Sequence, residues 1–325
     1  MTGKSHIEKT QGDQPTRIGR SRIASAILVL AGATCWGVTG LANRMLTPLG
    51  FTQMEIVFIR SFIGAVALLV LLLAIDRSLL RIRIRDLWCF LGTGIVSLTV
   101  FSFSYFCAMQ ELSLSAAAVL LYTAPIFVTL MSAVVFRERI NARKILALVM
   151  VFGGAALMCG LVGAATNLGG AGSISARGIG FGLLSGFAYA LYTIFSRFAL
   201  NRSYRPLTIA FYTLLFAAIA SAVFANPIEI AARTADVVNS SGFGVIGWEL
   251  FMGIITCSAA YAFYTLGLAG LENGPASIIA TWELVVATLV SIFIFTEPFG
   301  VVNLVGMVLV IAGIVIMNVT KRKRD

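Results

Sequence analysis

The chain has 325 residues, 59% of them apolar and only 12% charged, about half the charged share of an ordinary soluble domain, which excludes a soluble globular fold. Its formal net charge of +10 comes from Lys and Arg gathered in short loops and tails, the pattern that sets membrane topology rather than one that holds nucleic acid. The only histidine, His6, lies near the N-terminus and the five cysteines share no spacing, so no haem, zinc site, disulfide framework or other cofactor is expected.

Residues 1–22 are polar and lack the apolar core and cleavage site of a signal peptide; a disordered cytosolic tail is expected there. Apolar runs long enough to cross about 30 Å of hydrocarbon follow at 23–47, 52–75, 87–110, 113–136, 145–162, 178–200, 206–225, 245–270, 275–295 and 301–319. They are continuously apolar rather than alternating, which predicts helices and not barrel strands. Residues 163–177 read as an extracytoplasmic linker, with a flexible Gly/Ser-rich stretch from Asn167 to Ser175. Residues 321–325 form a basic cytosolic tail. The fold class predicted is an all-α integral membrane protein with ten transmembrane helices.

Orientation follows from the basic residues. The N-terminal tail, the loops after the second, fourth and sixth spans, and the C-terminal tail hold twenty of the 24 Lys and Arg residues. Opposite loops hold only Arg177 and Arg233. The positive side faces the cytosol, so both termini are expected there, in a multi-pass protein of the inner or plasma membrane.

The chain nearly repeats itself. Trp36 and Arg44 of the first span recur as Tyr189 and Arg197 of the sixth, 153 residues later. Tyr105, Ala116 and Glu138 recur as Tyr264, Pro275 and Glu297 at an offset of 159. At that offset Glu283 falls opposite Ala124, beside Pro125. A repeat of five spans is odd in number, so its copies, 23–162 and 178–320, have opposite topology. Inverted repeats of this kind place a substrate site near the membrane midplane, between the halves.

Short segments in both halves carry a family resemblance. They are Ala33-Thr-Cys-Trp-Gly37, Arg60 within Ile59-Arg-Ser-Phe62, Thr123-Ala-Pro-Ile-Phe127 followed by Phe136-Arg-Glu138, and Thr281-Trp-Glu-Leu-Val-Val-Ala287 followed by Thr296-Glu297. Together they resemble the drug/metabolite transporter superfamily, in its ten-helix EamA-like form. The resemblance implies a secondary transporter, often an exporter of metabolites, amino acids or drugs. This chain has Glu283-Leu284-Val285 where the family usually has Glu-Pro-Val, which argues against a kink in the ninth span.

Glu283 lies about 9 residues, or about 13 Å, into its span. A carboxylate that deep is costly and marks a functional site by default; it is read as a proton carrier or counter-charge for a cationic solute, against a structural carboxylate paired with Arg60. Arg60 is read as structural. The aromatic set is Trp36, Tyr105, Tyr122, Tyr189, Tyr192, Tyr261, Tyr264 and Trp282; the repeat-equivalent Trp36 and Tyr189 fall mid-span, away from the interfaces aromatics usually favour, and several such rings around one carboxylate suit an aromatic or cationic solute. Trp36 and Trp282 lead that set, although Trp282 points about 100° from Glu283 on a helix. Pro125 is a gating bend or a static kink. Glu138 and Glu297, at helix ends, are structural. Ser102, Ser104 and Gln110 give the third span a polar side that would face the cavity. Gly178, Gly182 and Gly186 form a small-residue stripe that favours close packing inside one protomer over a dimer interface, though a homodimer is also considered.

The leading reading is a secondary transporter of a small organic solute. Its expected partners are that small-molecule substrate, the lipid bilayer and protons as a candidate coupling ion; no nucleic acid is expected. The chain has no Walker-type phosphate loop. An intramembrane enzyme would need a nucleophile–base or metal constellation, and none is found; a sensor would predict an attached signalling domain.

Overall fold

The computed structural model of the protein describes residues 21–112, 114–158, 175–296 and 300–318. All regular structure among them is helical. In chain order the helices are α1 (Arg22–Leu49), α2 (Gln53–Ile75), α3 (Ile84–Glu111), α4 (Ala117–Val135) and α5 (Ala142–Met158). Then come α6 (Ala176–Asn201), α7 (Pro206–Ser221), α8 (Pro227–Ser241), α9 (Gly244–Leu268), α10 (Asn273–Phe295) and α11 (Val301–Asn318). Seven of them, α1 to α4, α6, α9 and α10, are long and apolar enough to cross a membrane, and α7 and α11 are shorter apolar helices. The predicted tails at 1–20 and 319–325, the linker up to residue 174 and Glu297 lie outside the described residues.

One helix departs from the expectation. Residues 227–241 were expected to be loop, yet α8 forms there. Asn226 caps it by accepting from the amides of Ile228 and Glu229, with Pro227 in the first turn. Its signature is a cap and a proline, not an apolar run, so a search for spans passes over it. Arg233 of α8 ties it to the bundle through Glu55 Oε2 at 2.9 Å and the Gly50 carbonyl.

Contacts between the halves dominate. α1 packs on α9 and α10, α6 on α3 and α4, α2 on α7 and α9, α7 on α3, α4 on α10, and α5 on α11. The small-residue positions fit this crossing. A Cβ on Gly94 of α3 would meet the Thr213 carbonyl and the Ala217 amide of α7; one on Gly253 of α9 would meet Ile63 and the Gly64 amide of α2. The stripe on α6 serves the same end inside one chain, with Gly182 against Leu120 and Gly186 against Thr123.

Five helices are irregular, α1 among them, which breaks at Val38 and ends in a 3-10 turn over Thr47–Leu49. α4 breaks at Thr123 and α10 at Thr281, where both residues carry nearly the same backbone angles, φ −70° and ψ −13° against φ −63° and ψ −8°. In each, the threonine hydroxyl donates to the carbonyl three residues back, Leu120 and Ile278, at 2.6 Å. The missing proline therefore does not leave α10 unbroken: the Ile278 carbonyl takes the Thr281 amide three residues on, and the threonine hydroxyl adds a second bond to it. These breaks match at an offset of 158, which aligns Glu283 with Pro125 rather than Ala124. α3 and α9 each contain a π-helical stretch, Gly92–Thr99 and Ile254–Ala259. Thr99 and Ser258 donate to carbonyls five residues back, Gly94 and Gly253, at 3.1 Å.

Candidate functional site

The breaks of α4 and α10 face one small cavity, also walled by α1, α3, α6 and α9. Its volume is about 20 Å³, room for a water or so and not for an organic solute. Glu283 opens the helical turn after the Thr281 break, where exposed amides and the helix dipole favour a carboxylate. It is only partly buried by protein atoms because it faces the cavity. The Tyr189 and Tyr122 side chains line the same cavity and lie within electrostatic reach of its carboxyl. Among the described residues no ion pair joins it to Arg60. The Arg60 guanidinium lies within electrostatic reach of Cys257, Tyr261, Tyr189 and Glu283, and its Nε finds no partner.

Trp36 is the hub of the aromatic wall. Its ring lies 5.2 Å from both Tyr261 and Tyr264 and 6.2 Å from Tyr189, centre to centre. Tyr192 continues the wall at 5.0 Å from Tyr261. Two hydroxyl pairs lock it: Tyr192 with Thr265 at 2.6 Å, and Tyr264 with Thr193 at 2.7 Å. The cavity thus gathers Glu283, Trp36, Tyr122, Tyr189, Tyr192, Tyr261, Tyr264 and Pro125.

Trp282 and Tyr105 do not line it. Trp282 turns outward and its indole N–H donates to Thr34 Oγ1 at 3.1 Å. Tyr105 stands one turn away, its ring 6.1 Å from that of Phe101, which does line the cavity. The polar side expected on the third span is a different face: Ser97, Leu98 and Phe101 line the cavity, while Ser102 donates back to the Leu98 carbonyl and Gln110 is exposed. The π-helical turns ahead of these residues shift their register, so a wheel drawn at 100° per residue aims at the wrong face.

A second polar cluster closes one end of the bundle. Glu138 accepts from the amides of Asn273 and Gly274 at 2.9 and 3.4 Å, capping α10 from the other half of the chain. Lys144, nearly fully buried, bridges Glu138 at 3.3 Å and Glu272 at 2.8 Å. Arg197 donates to Asn273 Oδ1 at 2.7 Å, to the Leu268 carbonyl at 2.8 Å and to the Leu271 carbonyl, capping α9. The sequence marks Glu138 as structural, Arg197 as a repeat landmark and a basic topology residue, and Lys144 as a basic topology residue alone; Glu272 and Asn273 carry no signal in it. Arg44, the counterpart of Arg197, instead lies 4.3 Å over the Phe295 ring.

The EamA-like transporter family model matches residues 23–160 and again 176–319. The chain belongs to the EamA-like transporter family. Relatives of this family agree in length as well as sequence. An uncharacterized transporter of Archaeoglobus fulgidus is 26% identical over 91% of this chain and 96% of its own. The uncharacterized transporter YwfM of Bacillus subtilis is 24% identical over 92% and 95%. A solved crystal structure shares the fold at a TM-score of 0.72, with 18% identity over 92% of this chain and 97% of that one. The protein is thus a multi-pass membrane protein of a transporter family.

Proposed function

We propose that the protein is a secondary transporter, an exporter or exchanger, that moves a small organic solute such as an amino acid, amine or drug-like molecule by alternating access. One observation carries this: the Glu283 carboxyl, without an ion pair, faces an aromatic cavity at the breaks of two helices drawn from the two family-matched segments. A carboxylate against aromatic faces suits an amine-bearing or aromatic solute. The cavity is too small for such a solute as it stands, so loading requires the halves to move apart on one side. The reading includes ten spans, with α5, α7 and α11 crossing too, in two inverted five-helix repeats with both termini in the cytosol. Matched breaks at Thr123 and Thr281, matched π turns, and the reciprocal Gly94 and Gly253 contacts support the repeat.

The test is flux. Protein in proteoliposomes, given a panel of amines and amino acids, is expected to show uptake or counterflow above empty liposomes. Absence of both across the panel would count against transport and return the sensor and enzyme readings to consideration.

A further inference from the structure

Away from the aromatic cavity, a cleft of about 400 Å³ opens where the loops after α2 and α6 meet. Arg81, Arg83, Arg202 and Arg205 line it, with Asp76 as its one lining carboxylate. Arg202 is already engaged: its Nε pairs with Asp86 at 2.9 Å and its guanidinium lies 5.0 Å over Trp88. Asp76 accepts from the amide and hydroxyl of Ser78 at 2.8 and 2.7 Å and lies within electrostatic reach of Arg205 and Arg81 without pairing with either. Among the described residues Arg81, Arg83 and Arg205 have no ion pair. Three guanidinium groups thus share one cleft with a single carboxylate, an excess of positive charge that matches the oxygens of a phosphate group.

The cleft does not stand alone. An adjoining groove of about 340 Å³ shares Asp76, Leu79 and Arg205 with it and is otherwise walled by Ile75, Pro206, Leu207 and Leu266. Ile75 ends α2 and Pro206 begins α7, so the groove lies where apolar helix gives way to basic loop. That is the level at which hydrocarbon meets headgroups. A free phosphate would satisfy the cleft and leave the groove empty. We infer that the two together bind an anionic phospholipid, its headgroup phosphate held by Arg81, Arg83 and Arg205 and an acyl chain laid along Leu79, Leu207 and Leu266.

The test uses the full chain in neutral detergent, titrated with phosphatidylglycerol and read by native mass spectrometry. Lipid is expected to be retained at lower concentration than phosphatidylcholine. Arg81→Gln and Arg205→Gln are each expected to weaken retention about fivefold, the effect of one basic residue near a lipid surface. Arg137→Gln together with Arg139→Gln, on a basic loop outside the cleft, should leave retention unchanged. Equal retention of phosphatidylcholine, or an equal loss in the Arg137 and Arg139 variant, would overturn the site in favour of diffuse charge. Displacement by inorganic phosphate at concentrations comparable to the lipid would assign the cleft to a free anion and overturn the lipid. Arg81 is an exposed loop residue, so its variant tests the site even where Arg205→Gln fails to fold.

Discussion

Glu283 takes its surroundings from other helices: Tyr122 of α4 and Tyr189 of α6 lie within reach of its carboxyl. Replacing it by Gln keeps its size and removes its charge. If Glu283 carries the coupling proton, Glu283→Gln abolishes pH-gradient-driven flux in proteoliposomes and spares solute exchange; gradient-driven flux equal to that of the native protein would refute the role. Trp36→Ala removes the ring that three tyrosines pack against and is expected to raise the half-saturation concentration about tenfold, the loss of an aromatic contact worth about 1–2 kcal/mol. An unchanged half-saturation would show that the solute does not touch Trp36. The depth of Glu283 was legible in the sequence, because a carboxylate in an apolar run is a local property. Its tyrosine neighbours were not, since they come from positions 94 and 161 residues away in the chain.

At the scale of elements, the polar cluster around Lys144 and the glycine stripe of α6 decide how helices of opposite halves meet. Lys144→Met leaves the Glu138 and Glu272 carboxylates facing each other without a cation. Because Lys144 is buried, Glu138 partly buried and Glu272 half exposed, the expected cost is on the order of 3 kcal/mol, read as a lowered melting temperature of the detergent-solubilised protein. Gly186→Val drives a side chain into Thr123 Oγ1 and the Leu120 carbonyl; overpacking of this kind costs about 1–3 kcal/mol, and it presses on the α4 break as well. A melting curve identical to the native one would remove either contact from the list of those that matter. The break of α10 escaped sequence reading because a proline was sought there, whereas Thr281 makes it with a hydroxyl. α8 escaped because it is neither long nor apolar.

Over the whole molecule, the reading of orientation makes its own prediction. A cysteine placed at Ser240, exposed at the end of α8, is expected to react with a membrane-impermeant thiol reagent on intact cells once the native cysteines are replaced. Labelling only after permeabilisation would overturn the orientation and with it the sign of the inverted repeat. The amino-acid sequence by itself determined that the chain lives in a membrane and where its apolar helices fall. These follow from hydropathy and charge counted over a few dozen neighbouring residues. Only the tertiary structure decided that Glu283 meets tyrosines rather than Arg60, that Trp282 and Tyr105 stand outside the cavity, and that Glu138, Lys144 and Arg197 close one end. Those outcomes depend on how each helix is rotated about its axis. π turns and threonine breaks set that rotation, and a regular 3.6-residue period does not foresee them.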